Sequence, residues 1–163
     1  EAFDMNNAGR KLRSAGFVAV LAVVVFGAGF VLNFVWEALH GVYLYQEHDM
    51  AASRYVPMLV YVSAMDGLLI LALHGWVALL WRNPFWMEKP GALAVFAISA
   101  LILAAAIEYR AVYILERWAY LPAMPELFGI GISPLFQLAV TGLIAVETAG
   151  SAQSCLRNNG NRQ

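Results

Sequence analysis

The chain has 163 residues, 61% hydrophobic and 13% charged, with a formal net charge of −1. That is not the composition of an ordinary soluble domain, and the charge pattern offers no basic stripe for a nucleic acid partner. A mean hydropathy of +0.66 at this length leaves room for about four membrane spans of roughly 20 residues.

Residues 1–14 are polar and close on the basic cluster Arg10, Lys11 and Arg13. The first apolar run, 15–39, reads AGFVAVLAVVVFGAGFVLNFVWEAL. It is too long for a signal-peptide core and has no small-residue cleavage site, so it is expected to be a retained span. After the polar loop YQEHDMAASR comes the second run, 56–81, with Pro57 suited to the first turn of a helix. The loop RNPFWMEKPG is a turn by its Asn-Pro and Lys-Pro steps. The third run, 91–112, is rich in Ala, Leu and Ile, and an amphipathic stretch follows it. The fourth covers 127–147, and the Asn- and Gln-rich tail from Gly150 is expected to fray. The fold class is therefore all-α: four antiparallel transmembrane helices forming one domain over 15–149, between a basic segment at 1–14 and a flexible tail at 150–163.

Lysine and arginine orient the spans. With the N-terminus inside, the inner segments hold Arg10, Lys11, Arg13, Arg82, Lys89, Arg157 and Arg162, and the outer ones only Arg54, Arg110 and Arg117. This asymmetry predicts cytoplasmic termini in a multi-pass inner membrane protein. Trp36, Tyr43, Tyr45, Tyr55, Trp118 and Tyr120 would then mark the outer interface, and Trp81, Phe85 and Trp86 the inner one. No internal repeat is evident, and four spans cannot hold the inverted repeats of a self-contained carrier.

The few polar residues inside these runs carry the functional signal. A carboxylate in hydrocarbon costs several kcal/mol unless it is protonated, paired or hydrated. Asp66 lies mid-run, about ten residues or roughly 15 Å from the outer boundary, and Glu37 lies near the end of the first run. Asn33, Trp36, Glu37 and His40 recur at i, i+3, i+4 and i+7, on one helical face. Ser63, Asp66, Gly67 and His74 share a face of the second run. Glu108 ends the third, and Gln137 lies in the fourth at a depth like that of Asp66. All except His74 are expected to converge in the outer half of the bundle. Asn33, Ser63 and Gln137 have an alternative role as interhelical hydrogen-bond partners, Glu37 as a hydrated interfacial group, and His74 as a packing residue. Glu108 and Arg110, with Glu116 and Arg117, have a surface ion-pair reading.

Known chemistries find little support. Glu37-x-x-His40 is half of a di-iron carboxylate motif, and the second Glu-x-x-His is missing. His40 and His48 with Glu47 and Asp49 offer at most a loose divalent site in the outer loop. There is no Walker loop, HExxH, GxSxG or Rossmann fingerprint, and no motif for haem or an iron–sulfur cluster. The lone Cys155 supports neither a disulfide nor a CxxC site. No metal is expected, and no cofactor is named by the sequence. The prolines and glycines between Pro122 and Pro134 predict either a shaped, partly re-entrant backbone before the fourth span or an interfacial loop.

The segments NFVWEALHGVYLY and ERWAYLPAMPELFGIGISPLFQL resemble a family of small, uncharacterised bacterial four-helix integral membrane proteins, a likeness that spans most of the chain and implies no activity. The second segment also resembles, locally, the membrane-bound carotenoid (lycopene) cyclase and hydratase-like proteins. In those an acid precedes a W-x-Y-like element and a Gly/Pro-rich lead-in to the next span. Glu108, Trp118, Tyr120, Gly129 and Pro134 are the corresponding positions. Those cyclases place a carboxylate pair after the Gly/Pro element, where this chain has Ser-Pro-Leu-Phe-Gln, so Glu37 and Asp66 would have to supply the acid.

Three functions follow as expectations. The first is a membrane enzyme on an apolar lipid such as an isoprenoid, of the isomerase or cyclase type. Asp66 or Glu37 would be its acid and Glu108 its base, with Asn33, Trp36, His40, Trp118, Tyr120 and Gln137 forming the ligand pocket. The second is an accessory, pigment- or lipid-binding subunit that associates with other membrane subunits or with itself. The third is an oligomeric ion or proton pathway lined by Asp66.

Overall fold

The computed structural model describes the backbone of residues 2–45 and 50–160 and the side chains of 16–45 and 50–155. Four long helices carry the fold: α1 (Ala2–Leu44), α2 (Ala52–Trp81), α3 (Pro90–Tyr109) and α4 (Ile132–Gly160). A π-helical turn, Arg110–Ile114, extends α3, and a two-stranded antiparallel hairpin, β1 (Glu126–Leu127) with β2 (Ile130–Gly131), precedes α4. Among the described residues, four helices are long and apolar enough to cross a membrane: Gly16–Leu44, Ala52–Trp81, Pro90–Ile114 and Ile132–Cys155. This is the arrangement of a multi-pass membrane protein.

The helices close a ring in chain order. α1 packs along α2 and α4, α3 packs along α4, and a lighter α2–α3 contact completes the circle. Many of the outward positions are large and apolar, among them Val23, Leu39, Tyr61, Leu79, Ile102 and Ile144, as lipid requires. Small residues set the spacing inside. On α3, Ala92, Phe96, Ala100, Ala104 and Glu108 recur every fourth residue and are all buried, forming the i±4 ridge of a helix interface. A Cβ on Gly142 of α4 would stand 2.8 Å from the Phe96 ring. On α2, a Cβ on Gly67 would stand 3.2 Å from the Phe26 carbonyl oxygen and ring of α1. The close approach of α1 and α2 brings Asp66, the neighbour of Gly67, towards the polar face of α1.

At one end of the bundle, which we call the cap end, α1 and the π turn finish, α2 and α4 begin, and residues 115–131 fold over. Leu121 N–H donates to the Leu44 carbonyl at 2.9 Å, and Tyr45 pairs with Tyr120 in a single antiparallel bridge. The hairpin turns on Phe128 and Gly129, both at positive φ (53° and 79°), as a two-residue type I′ turn demands. Tyr113 Oη donates to the Gly129 carbonyl at 2.6 Å.

Several boundaries differ from the sequence reading. α2 begins at Ala52, with Arg54 and Tyr55 N–H both donating to the Ala51 carbonyl, so Pro57 lies inside the helix instead of in its first turn. α4 begins at Ile132 because 127–131 belong to the hairpin, and it continues as helix to Gly160 through the stretch expected to fray. Trp86, expected at the inner interface, is fully buried. The loop turns back at Asn83, whose Oδ1 accepts from Phe85 N–H at 2.9 Å. Trp86 then stacks on His74 and donates Nε1–H to the His74 carbonyl at 3.1 Å. His74 is thus a packing residue, at the end of the bundle away from Glu37, Asp66 and Glu108. The side chains of Arg10, Lys11, Arg13, Arg157 and Arg162, and the His48, Glu47 and Asp49 loop, lie outside the described residues.

The contact at Gly67 sets a first expectation. Gly67→Ala must push α1 and α2 apart, a loss of about 1–3 kcal/mol from overpacking. Gly75→Ala, where nothing lies within 4 Å, is neutral or gains up to ~1 kcal/mol from helix propensity. Thermal or denaturant unfolding in detergent measures both.

Candidate functional site

Two polar clusters occupy the cap half of the bundle. The first is built around Gln137 of α4. Its Nε2 donates to Asn33 Oδ1 at 3.0 Å, to Glu37 Oε1 at 2.7 Å and to Asp66 Oδ2 at 3.2 Å. One amide thus ties α4 to α1 and α2. The face predicted on α1 explains the reach, since Asn33 and Glu37 are one turn apart and both point at α4. Thr141, one turn beyond Gln137, places Oγ1 2.8 Å from the Gln137 carbonyl and 3.2 Å from Asn33 Oδ1. Asn33 is fully buried and donates Nδ2–H to the Gly29 carbonyl at 2.8 Å. Ser63 is buried too, but its hydroxyl only donates to its own helix, at the Leu59 carbonyl.

The second cluster is Glu108 and the aromatic donors around it. Tyr120 Oη donates to Glu108 Oε2 at 2.6 Å, Tyr45 Oη lies 3.3 and 3.2 Å from the two carboxyl oxygens, and Trp118 Nε1–H reaches Oε2 at 3.4 Å. Burial, and then the Glu108 carboxylate, push the Tyr45 and Tyr120 phenols above their usual range, so both stay protonated and act as donors. Glu108 is buried and faces these aromatics, while Arg110 and Arg117 are exposed. The acid is therefore the anchor of the cap and not part of a surface ion pair. The clusters adjoin where the His40 ring, one turn beyond Glu37 on α1, meets Tyr45 edge-on at 4.8 Å.

Beside the first cluster, a groove of about 430 Å³ runs between α1 and α4. Val31, Val35 and Leu39 line one side and Val140 and Ile144 the other, with Trp36, His40, Ser133 and Thr141 as its polar members. Its walls are nearly all apolar, and it opens towards the lipid-facing surface. Glu37 and Asp66 do not line it; Thr141 joins the groove to them through Asn33 and Gln137.

The structure thus brings Asn33, Glu37, Asp66 and Gln137 into one network. It puts Glu108, Trp118 and Tyr120 into the neighbouring one, and turns Trp36 and His40 to the groove. Among the described residues no three His, Cys, Asp or Glu side chains gather as a metal site, and the Glu37/His40 pair gains no further ligand. Sequence reasoning missed two members. Thr141 was legible from its i+4 spacing to Gln137. Tyr45 was read as an interface residue, and nothing in its spacing signals that the cap folds it onto Glu108.

No family model, curated protein or solved structure matches the chain. What stands on residues alone is a four-helix protein with four candidate membrane spans and a buried Glu108 in a hydrogen-bond network.

Gln137→Leu removes the donor that Asn33, Glu37 and Asp66 share; Thr141 Oγ1 stays 3.2 Å from Asn33 Oδ1, and the half-buried Glu37 and Asp66 lose theirs, at about 1–3 kcal/mol for each group left unpaired. Its melting temperature in detergent falls well below that of wild type. Tyr120→Phe removes the 2.6 Å bond and frees the cap, so hydrogen exchange rises over 115–131 while α1 and α2 keep their protection.

Proposed function

We propose that this protein binds an apolar lipid in the groove between α1 and α4. The observation that carries the reading is the groove itself. It is apolar, of a size suited to a small ligand, open to the hydrocarbon and edged with a few polar groups. The positive-inside distribution supports cytoplasmic termini, which would put the cap end and the groove in the outer leaflet of an inner membrane. The resemblance to small bacterial four-helix membrane proteins is compatible with this reading and adds no activity.

A second reading, that the lipid is also processed by acid–base chemistry, is favoured by the arrangement at Gln137. Glu37 and Asp66 share a single amide nitrogen, and a proton on either carboxyl group would relieve the repulsion between two acids held by one donor. A carboxyl group kept protonated inside a bilayer is a proton donor for an alkene. Thr141 is the hydroxyl between that proton and the groove.

Val140→Trp fills the groove from α4 without touching either polar cluster. Native mass spectrometry of protein released from membranes is expected to show at least a fivefold loss of bound lipid, with helical content unchanged. Lipid retention at the wild-type level would contradict the binding reading. Asp66→Asn keeps the lipid bound and abolishes its conversion. An unchanged cellular lipid profile with this variant would remove the enzymatic reading and leave binding in place.

A further inference from the structure

The tip of the cap hairpin carries a residue that neither its backbone nor its packing accounts for. Phe128 is 97% exposed and sits at positive φ, 53°. The first position of a type I′ turn favours asparagine, aspartate or glycine, and a bulky side chain there is an outlier. The position is unfavourable on both counts: the backbone is strained, and a large apolar ring is left uncovered by the rest of the chain. Strain kept in this way points to a use for the residue that holds it, and the partner of this ring lies outside the chain.

The seat of the hairpin shows where that partner is. Tyr113 Oη donates to the Gly129 carbonyl at 2.6 Å, and a Cβ on Gly129 would stand only 2.6 Å from the same hydroxyl. The turn is therefore pressed against Tyr113, which lies in the last turn of the span Pro90–Ile114. Ile98, Ile102 and Tyr109 are exposed and share one face of α3, and the Tyr113 ring continues that stripe with its centroid 5.4 Å from that of Tyr109. In a membrane this stripe faces lipid, so Phe128 is held beside the cap end of a lipid-facing surface. Leu127 next to it and Ile114 in the π turn are exposed as well. Depth agrees with position. Arg110, Glu116 and Glu126 are exposed in the same region, which puts the boundary between hydrocarbon and headgroups at this level. Apolar and aromatic side chains bury themselves at that boundary. A protein partner would have to reach Phe128 past the lipid that covers Tyr109 and Tyr113.

We infer that the hairpin is a membrane anchor for the cap, with Phe128 and Leu127 inserted into the lipid interface beside the end of α3. The cap is then fastened twice, to the bundle through Glu108 and to the bilayer through Phe128. The inference is independent of what fills the groove between α1 and α4.

The test places a nitroxide label on Leu127→Cys, in a Cys155→Ser background, in the full-length protein held as single copies in phosphatidylcholine nanodiscs. Power-saturation spectra compare collisions with oxygen, which concentrates in lipid, and with a nickel chelate, which stays in water. Oxygen access is expected to dominate. Adding Phe128→Asn, which suits the turn but not the lipid, lowers the oxygen-to-nickel ratio at least about threefold, because burial of the ring is what holds the tip in place. A label on Ile102→Cys, in the lipid-facing stripe, reads the same with and without Phe128→Asn. Nickel access that dominates at position 127 with Phe128 in place puts the tip in water and overturns the inference. Low access to both reagents puts the tip under protein and overturns it too. If the label unsettles the hairpin, Phe128→Trp repeats the test by fluorescence. Its added emission is expected to be quenched by lipids brominated close to their carbonyl ends, and emission untouched by those lipids contradicts the anchor.

Discussion

The carboxamide of Gln137 is the contact on which the polar interior depends. A bilayer offers no water to a stranded acid, so Glu37 and Asp66 are tolerable only where protein supplies their hydrogen bonds. Gln137 gives one nitrogen to both and to Asn33, and so fixes how α4 sits against α1 and α2. The close α1–α2 approach at Gly29 and Gly67 is the steric counterpart of that bond, because it brings Asp66 within its reach. Thr141, on the same face as Gln137, extends the network to the groove wall.

Glu108 plays a different part from the other two acids. It is held by three donors from two segments of the chain: Tyr45 just beyond α1, and Trp118 and Tyr120 in the cap. The contact ties the irregular segment 115–131 down onto the bundle. Glu108, Trp118 and Tyr120 are joined to one another by hydrogen bonds, and the cap covers the end of the bundle that holds both polar clusters.

How much of this was legible depends on the range of the interaction. Spans, helix number and antiparallel order follow from hydropathy and length, which are local. The face shared by Asn33, Trp36, Glu37 and His40 follows from helical spacing, and the depth match of Asp66 with Gln137 from counting residues. What escaped is set by backbone chemistry or by tertiary approach. The hairpin at Phe128-Gly129 lies inside a run that hydropathy assigns to a span, Trp86 is carried inward by the Asn83 turn, and Tyr45 meets Glu108 only when the cap closes. The groove could not be read at all, since it is a gap between two helices and not a property of either.

The proposal of lipid binding comes down to whether the α1/α4 groove is occupied. A high-resolution structure of the protein in its native membrane lipid tests this most directly. Elongated density along Val35, Leu39 and Val140 is expected. A groove closed by side chains, or one without density in a well-resolved map, would contradict it.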